Sequence, residues 1–224
     1  MSKDLRLQEL AIVIVARNHN PSILNPDFLR YNDIVPRDWQ VAKPPICTEP
    51  VSQVVFQSGV NIVAEFEKLS FSESFQAKPT EASAIAGIAS KYLSTLPHVD
   101  YRAVGINPKG DVEVVEGEAS KFVLQKLFRT GPWASYGGRA GSAAVKLTYP
   151  IEGGQLTLTV EVALKKVSQE QMKHVLLFGA NFHHDLTATT PKGRVDQALV
   201  LIKNWRSECD SYLDFVNKSF LKEE

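Results

Sequence analysis

His183-His184-Asp185 is the one cluster in the chain whose side chains commonly bind metals or move protons. Histidine exchanges protons near neutrality, and a neighbouring carboxylate can orient its ring. In that role His183 or His184 acts as a base or metal ligand and Asp185 holds it in place. The spacing argues against a shared ion, because successive residues of a strand point to opposite faces and adjacent histidines converge only where the strand has ended. His19, His98 and His174 stand at no ligand spacing from the cluster. Exposed polar residues that close a strand are the competing interpretation.

A second candidate is the glycine-rich stretch from Gly131 to Gly141, ending in Gly137-Gly138-Arg139-Ala140-Gly141-Ser142. A phosphate cradle needs a strand, then the loop, then a helix N-terminus, so that amides and dipole face the anion. Here a helical pattern precedes the loop and a strand pattern follows it. Arg139 is the residue to suspect if an anion binds at all. Trp133 and Tyr136 on the same loop, and Trp39 further upstream, are aromatic groups suited to contact with a partner or ligand. Neither cysteine has the setting of a nucleophile: Cys47 lies among prolines with no local base, and Cys209 falls on an apolar helical stripe. No G-x-S-x-G, H-E-x-x-H or EF-hand pattern occurs, and no cofactor is implied.

These residues need a scaffold, and the hydrophobic pattern supplies one. Residues 10–17 form a continuous β-branched run, expected as a central strand buried on both faces. Six of the 12 prolines fall between residues 21 and 50, a stretch studded with Ile23, Leu24, Phe28, Leu29, Ile34 and Val35. Proline breaks both ladders and helices, so 18–50 is expected as an irregular strap, covering either its own core or a second copy. Val54 to Phe66 alternates around Ser58-Gly59 as a hairpin, and residues 99–115 suggest another around Asn107-Pro108-Lys109-Gly110. Residues 155–165 alternate without a break and are expected to pair with 145–149; a further strand covers 175–182. Helices are expected at about 80–96 with Thr80 as N-cap, at 118–129, and at 192–220 with Thr190-Pro191 opening it. The last carries Val195, Leu199, Ile202, Trp205, Cys209, Tyr212, Val216 and Phe220 on one stripe.

The pattern predicts a single α+β domain, residues 1–224, with a mostly antiparallel sheet of six to seven strands and the helices packed on one face. Val104-Gly105-Ile106-Asn107 and Phe178-Gly179-Ala180-Asn181 echo one another, a weak signal that 51–130 is repeated in 142–220. Composition bounds the function. With 25 basic against 25 acidic residues there is no global field to collect phosphate backbones, so nucleic acid is not expected as a partner. The only early apolar run, residues 11–16, is too short for a membrane span or secretion signal, and two isolated cysteines fit a reducing compartment, so a cytoplasmic protein is expected. The leading expectation is action by protein binding or self-assembly as a homo-oligomer. The alternative is a small-molecule-binding or metal-assisted hydrolytic enzyme with a pocket between the sheet and the C-terminal helix.

Overall fold

The β-branched run becomes the middle of a large sheet. In the computed structural model, which describes residues 4–75, 79–128, 131–135, 142–166 and 171–222, strand β1 (Arg6–Arg17) is fifth of nine in one antiparallel sheet. The spatial order is β2-β3-β4-β5-β1-β6-β9-β8-β7. Its other members are β2 (Ile46–Cys47), β3 (Val51–Val55), β4 (Val60–Glu65), β5 (Lys68–Ser74), β6 (Asp100–Glu113), β7 (Ala144–Ile151), β8 (Gly154–Lys166) and β9 (Met172–Asp185). The helices are α1 (Pro26–Tyr31), α2 (Ile85–Thr95), α3 (Glu118–Lys121, continued as π-helical turns to Leu127), α4 (Pro191–Lys203) and α5 (Trp205–Val216). None of the helices among the described residues is long and apolar enough to cross a membrane.

The α+β class and antiparallel sheet follow the sequence pattern, but the strand number does not: the described residues form nine strands rather than six or seven. Two were concealed by composition. Strand β2 is a two-residue edge inside the proline-rich strap, and β5 alternates Leu69, Phe71 and Glu73 inward with serines outward, which dilutes its apolar signal. The expected hairpin around residues 107–110 is instead the middle of one strand, β6, which pairs with β1 from Asp100 to Asp111. Long-range pairing overrides the turn propensity of Asn-Pro-Lys-Gly here. Pro108 still leaves a mark: on the β9 side the paired residues skip from Ile106 with Phe182 to Lys109 with Gly179. Gly110 serves close approach rather than reversal, since a Cβ there would lie 2.8 Å from the Arg6 carbonyl oxygen.

Nor is β1 buried on both faces. Leu10, Ile12, Ile14 and Ala16 are sealed, whereas Ala11 and Val13 are half-buried and Val15 is 37% exposed. The run reflects β-propensity at Val13 and Val15, not double burial, as an antiparallel sheet with one solvated face allows. Ile62, Phe71, Ile12, Ile106, Phe182 and Leu156 form one cross-strand row on the sealed face. Tyr92 of α2 meets Phe71 at 5.5 Å between ring centres, and Phe220, just beyond α5, meets Phe178 at 5.9 Å. Each such side chain contributes roughly 1.5–3 kcal/mol by leaving water.

The strap packs into its own chain: Leu24, Leu29, Ile34 and Val35 belong to the same core as the sheet, and the buried His19 Nε2 lies 2.9 Å from the Tyr92 hydroxyl. Helix α2 starts at Ile85, later than Thr80, because its N-terminus is capped from a strand. Glu73 Oε2 accepts from Ser83 Oγ at 2.6 Å and from Ala84 N at 3.0 Å. The expected long C-terminal helix is two helices that bend at Asn204 (φ −81°, ψ 2°), although Thr190 does cap the first, its Oγ1 accepting from Gly193 N.

The sheet is laid out symmetrically about the β1–β6 pair. Outward from β1 come β5, β4 and β3; outward from β6 come β9, β8 and β7, so each half is a long strand beside a three-strand meander, with the two-residue β2 as an extra edge on the first half. The register agrees: Ile12 corresponds to Ile106, Ile62 to Leu156 and the turn glycine Gly59 (φ +87°) to Gly153 (φ +70°), at the same sequence separation in all three pairs.

Candidate functional site

Strand alternation separates the two histidines. His183 faces the solvated side of the sheet, half-buried, with its Nε2 3.3 Å from Asp185 Oδ1. His184 turns to the sealed face, where its partner is Glu208 of α5 rather than Asp185: Nε2 lies 2.7 Å from Glu208 Oε1. Among the described residues no three His, Cys, Asp or Glu side chains gather to hold a metal.

The His184 and Glu208 side chains are only 8% and 10% exposed. Glu208 Oε2 is buried and has no hydrogen-bond partner. Burial pushes the Glu208 carboxyl above its usual range, against the opposing pull of His184. A buried carboxylate oxygen without a donor is costly, about 1–3 kcal/mol or more, which marks the position as more than packing. Chemically, the pair is a histidine held in one orientation by a carboxylate, an arrangement that can take or give a proton.

Both residues line a cleft of about 560 Å³ between the β7–β8 turn, the end of β9 and the α4–α5 bend. Its apolar wall comes from Ile151, Leu156, Phe182, Leu201 and Phe215, the last packed edge-on to Tyr149 at 5.4 Å. The bend at Asn204 lets α4 and α5 each present a side to this space. Gly154 brings β8 close against β9 beneath it: a Cβ there would fall 1.9 Å from the His183 carbonyl oxygen. A larger groove, about 650 Å³, runs between α2 and α4, but it is lined by Ala86, Gly87, Ser90 and Lys91 with no buried ionisable group.

Symmetry locates the special feature independently. His184 pairs with Val104 and Gly154; the corresponding position in the other half is Glu73, which pairs with Leu10 and Val60. Glu73 is held by the segment that opens its own half's helix α2. His184 reaches instead to α5, an element with no counterpart after α2, since the chain there passes directly into β6.

The remaining expected residues are not brought to this cleft. Trp133 is 47% exposed on the short turn Pro132–Ser135 and packs edge-on to Phe128 at 5.8 Å. Trp39 is half-buried in the strap against Phe56 at 5.3 Å, its carbonyl accepting from Arg30, so it anchors the strap. Tyr136 and Arg139 lie outside the described residues. Cys209 is buried, and burial raises its thiol to about 12, which makes it unreactive. Glu208 was the residue missed. Its signal was legible: it stands three residues after Trp205 and four before Tyr212, a charged group on the apolar stripe.

Compared with known proteins, the chain matches no family model, no curated sequence and no solved structure.

Proposed function

We propose that the protein binds a small organic molecule in the cleft at the α4–α5 bend, with His184, oriented by Glu208, as the polar group that meets it. The observation that carries this reading is the sealed His184–Glu208 pair with its unpartnered Oε2 on the wall of an open, largely apolar cleft. A cleft of roughly 300–1,000 Å³ with an apolar lining and a few fixed polar groups is the usual form of a small-molecule site. The symmetry of the sheet supports it, because the cleft arises where the second half departs from the first. We infer that the repeated units are residues 6–95 and 100–203, not 51–130 and 142–220, and that α5 was added to the second. We further infer that the helices share the sealed face, which puts α5 where it can close over the end of β9.

Action through a protein partner or a second copy has less behind it. The strap's apolar residues are used within the chain, and on the solvated face of the sheet Val13, Val15 and Val63 are interspersed with Ser70, Ser72, Asn61, Asn107, Asn181 and Thr157, a mixed surface with no apolar side chain larger than valine among these residues. A fragment screen followed by protein-observed NMR tests the proposal. Hits should shift the amides of Gly153, Asn204 and Ser207 and lose that response in His184→Gln. Hits that spread over the surface, or gather at Trp133, would remove the basis for it.

A further inference from the structure

Apart from the His184 imidazole, the ionisable groups that line the cleft are all acidic. Glu152 from the β7–β8 turn, Asp185 from β9 and Glu208 from α5 line it, α4 contributes only the neutral Gln197 and Leu201, and neither Lys nor Arg is among its lining residues. Two of the carboxylates, Glu152 and Asp185, sit at the exposed rim, and the third is nine-tenths buried with an oxygen that has no donor. A rim of acidic groups raises the local concentration of cations and repels anions. A buried acceptor without a partner gains most from a charged donor.

Resting on the small-molecule reading above, we propose that the ligand is a primary amine on an apolar body, its ammonium directed to the Glu208 end of the cleft and its body against Phe182 and Phe215. A free metal ion would find too few ligands, since no three candidate ligand side chains gather among the described residues. A neutral polyol would leave the apolar wall and the acidic charge unused. A carboxylate or phosphate ligand would meet the like charges of Glu152 and Asp185 at the rim and the acceptor oxygens of Glu208 within.

Three probes of one shape separate these outcomes: benzylamine, benzyl alcohol and benzoate, each titrated into the full chain at pH 7 and followed by amide NMR. Benzylamine should bind at Gly153, Asn204 and Ser207 at least about tenfold more tightly than either of the others, the worth of a hydrogen bond to a charged group. Glu208→Gln should lose most of that preference. Should Glu208→Gln fold poorly, Asp185→Asn and Glu152→Gln change only exposed side chains; each should weaken benzylamine about two- to threefold, an effect that disappears in high salt. If benzyl alcohol or benzoate binds at the same amides as well as benzylamine, the amine assignment is overturned and the cleft remains a ligand site. If none of the three binds there, both the assignment and the binding reading on which it rests fall.

Discussion

Replacing His184 by alanine isolates the energetics of the buried pair. In the native protein one proton is held between His184 Nε2 and Glu208 Oε1 at 2.7 Å, and both side chains are about nine-tenths removed from water. Without the imidazole, neither oxygen of Glu208 keeps a partner, because Oε2 has none to begin with. Breaking a buried pair in this way costs about 3–5 kcal/mol. For a chain of this size each kcal/mol moves Tm by about 2–4 °C, so a drop of about 6–20 °C is expected at pH 8. The carboxylate has one escape, which is to take up a proton. Its folded pKa already lies above the ordinary range and rises further in His184→Ala, so the folded state favours the protonated form. The variant is therefore least destabilised in acid and loses stability as pH rises from the unfolded-state value toward the folded one. Urea unfolding at pH 5 and pH 8, followed by circular dichroism and by the fluorescence of the buried Trp205, measures both quantities. His184→Ala/Glu208→Ala should be more stable than His184→Ala at pH 8, since the orphaned charge is gone. A cost below about 1 kcal/mol at pH 8, or equal costs at the two pH values, would refute the sealed-pair account.

Other substitutions test separate parts of the structure. Glu208→Gln keeps an acceptor for Nε2–H but cannot ionise, so the loss of stability that the raised carboxyl imposes as pH rises above about 4.5 should flatten; a pH series of melting temperatures with unchanged slope would contradict this. Gly154→Ala puts a methyl group into the His183 backbone carbonyl and should cost more than about 3 kcal/mol or prevent folding, while Gly87→Ala on the exposed side of α2 has nothing within 4 Å and should gain up to about 1 kcal/mol. Leu29→Ala in the strap should cost about 2–5 kcal/mol by chemical denaturation, the cost of a core cavity, and a change in oligomer size without loss of stability would show that the strap serves another copy.

Periodicity made the fold class legible wherever one face of an element is buried and the other is not. The alternation of residues 155–165 lies in strand β8, and the stripe from Val195 to Val216 is the buried side of α4 and α5, with Phe220 continuing it just beyond. Local signals failed where distant partners decide. Nothing near Asn107 announces that β1 will hold it extended, and Glu73 caps α2 from a strand that serine-rich alternation had hidden. The site was half legible. His184 was visible, but its partner lies 24 positions on, and only the intrusion of Glu208 on an apolar stripe pointed there. The cleft itself depends on the bend at Asn204, for which the sequence offers no proline or glycine.

The central place of β1 also fixes the order in which the protein can be completed. The strand leaves the ribosome before either neighbour: β5 ends at Ser74 and β6 at Glu113. At about 5–20 residues per second, β1 waits roughly 5–20 s for both of its ladders to exist. During that interval Leu10, Ile12 and Ile14 form an unpaired apolar edge, the kind of segment that invites other chains. Nascent chains arrested at successive lengths should show protease protection of β1 only once β6 has emerged, which makes this the interval in which a holding chaperone would matter most.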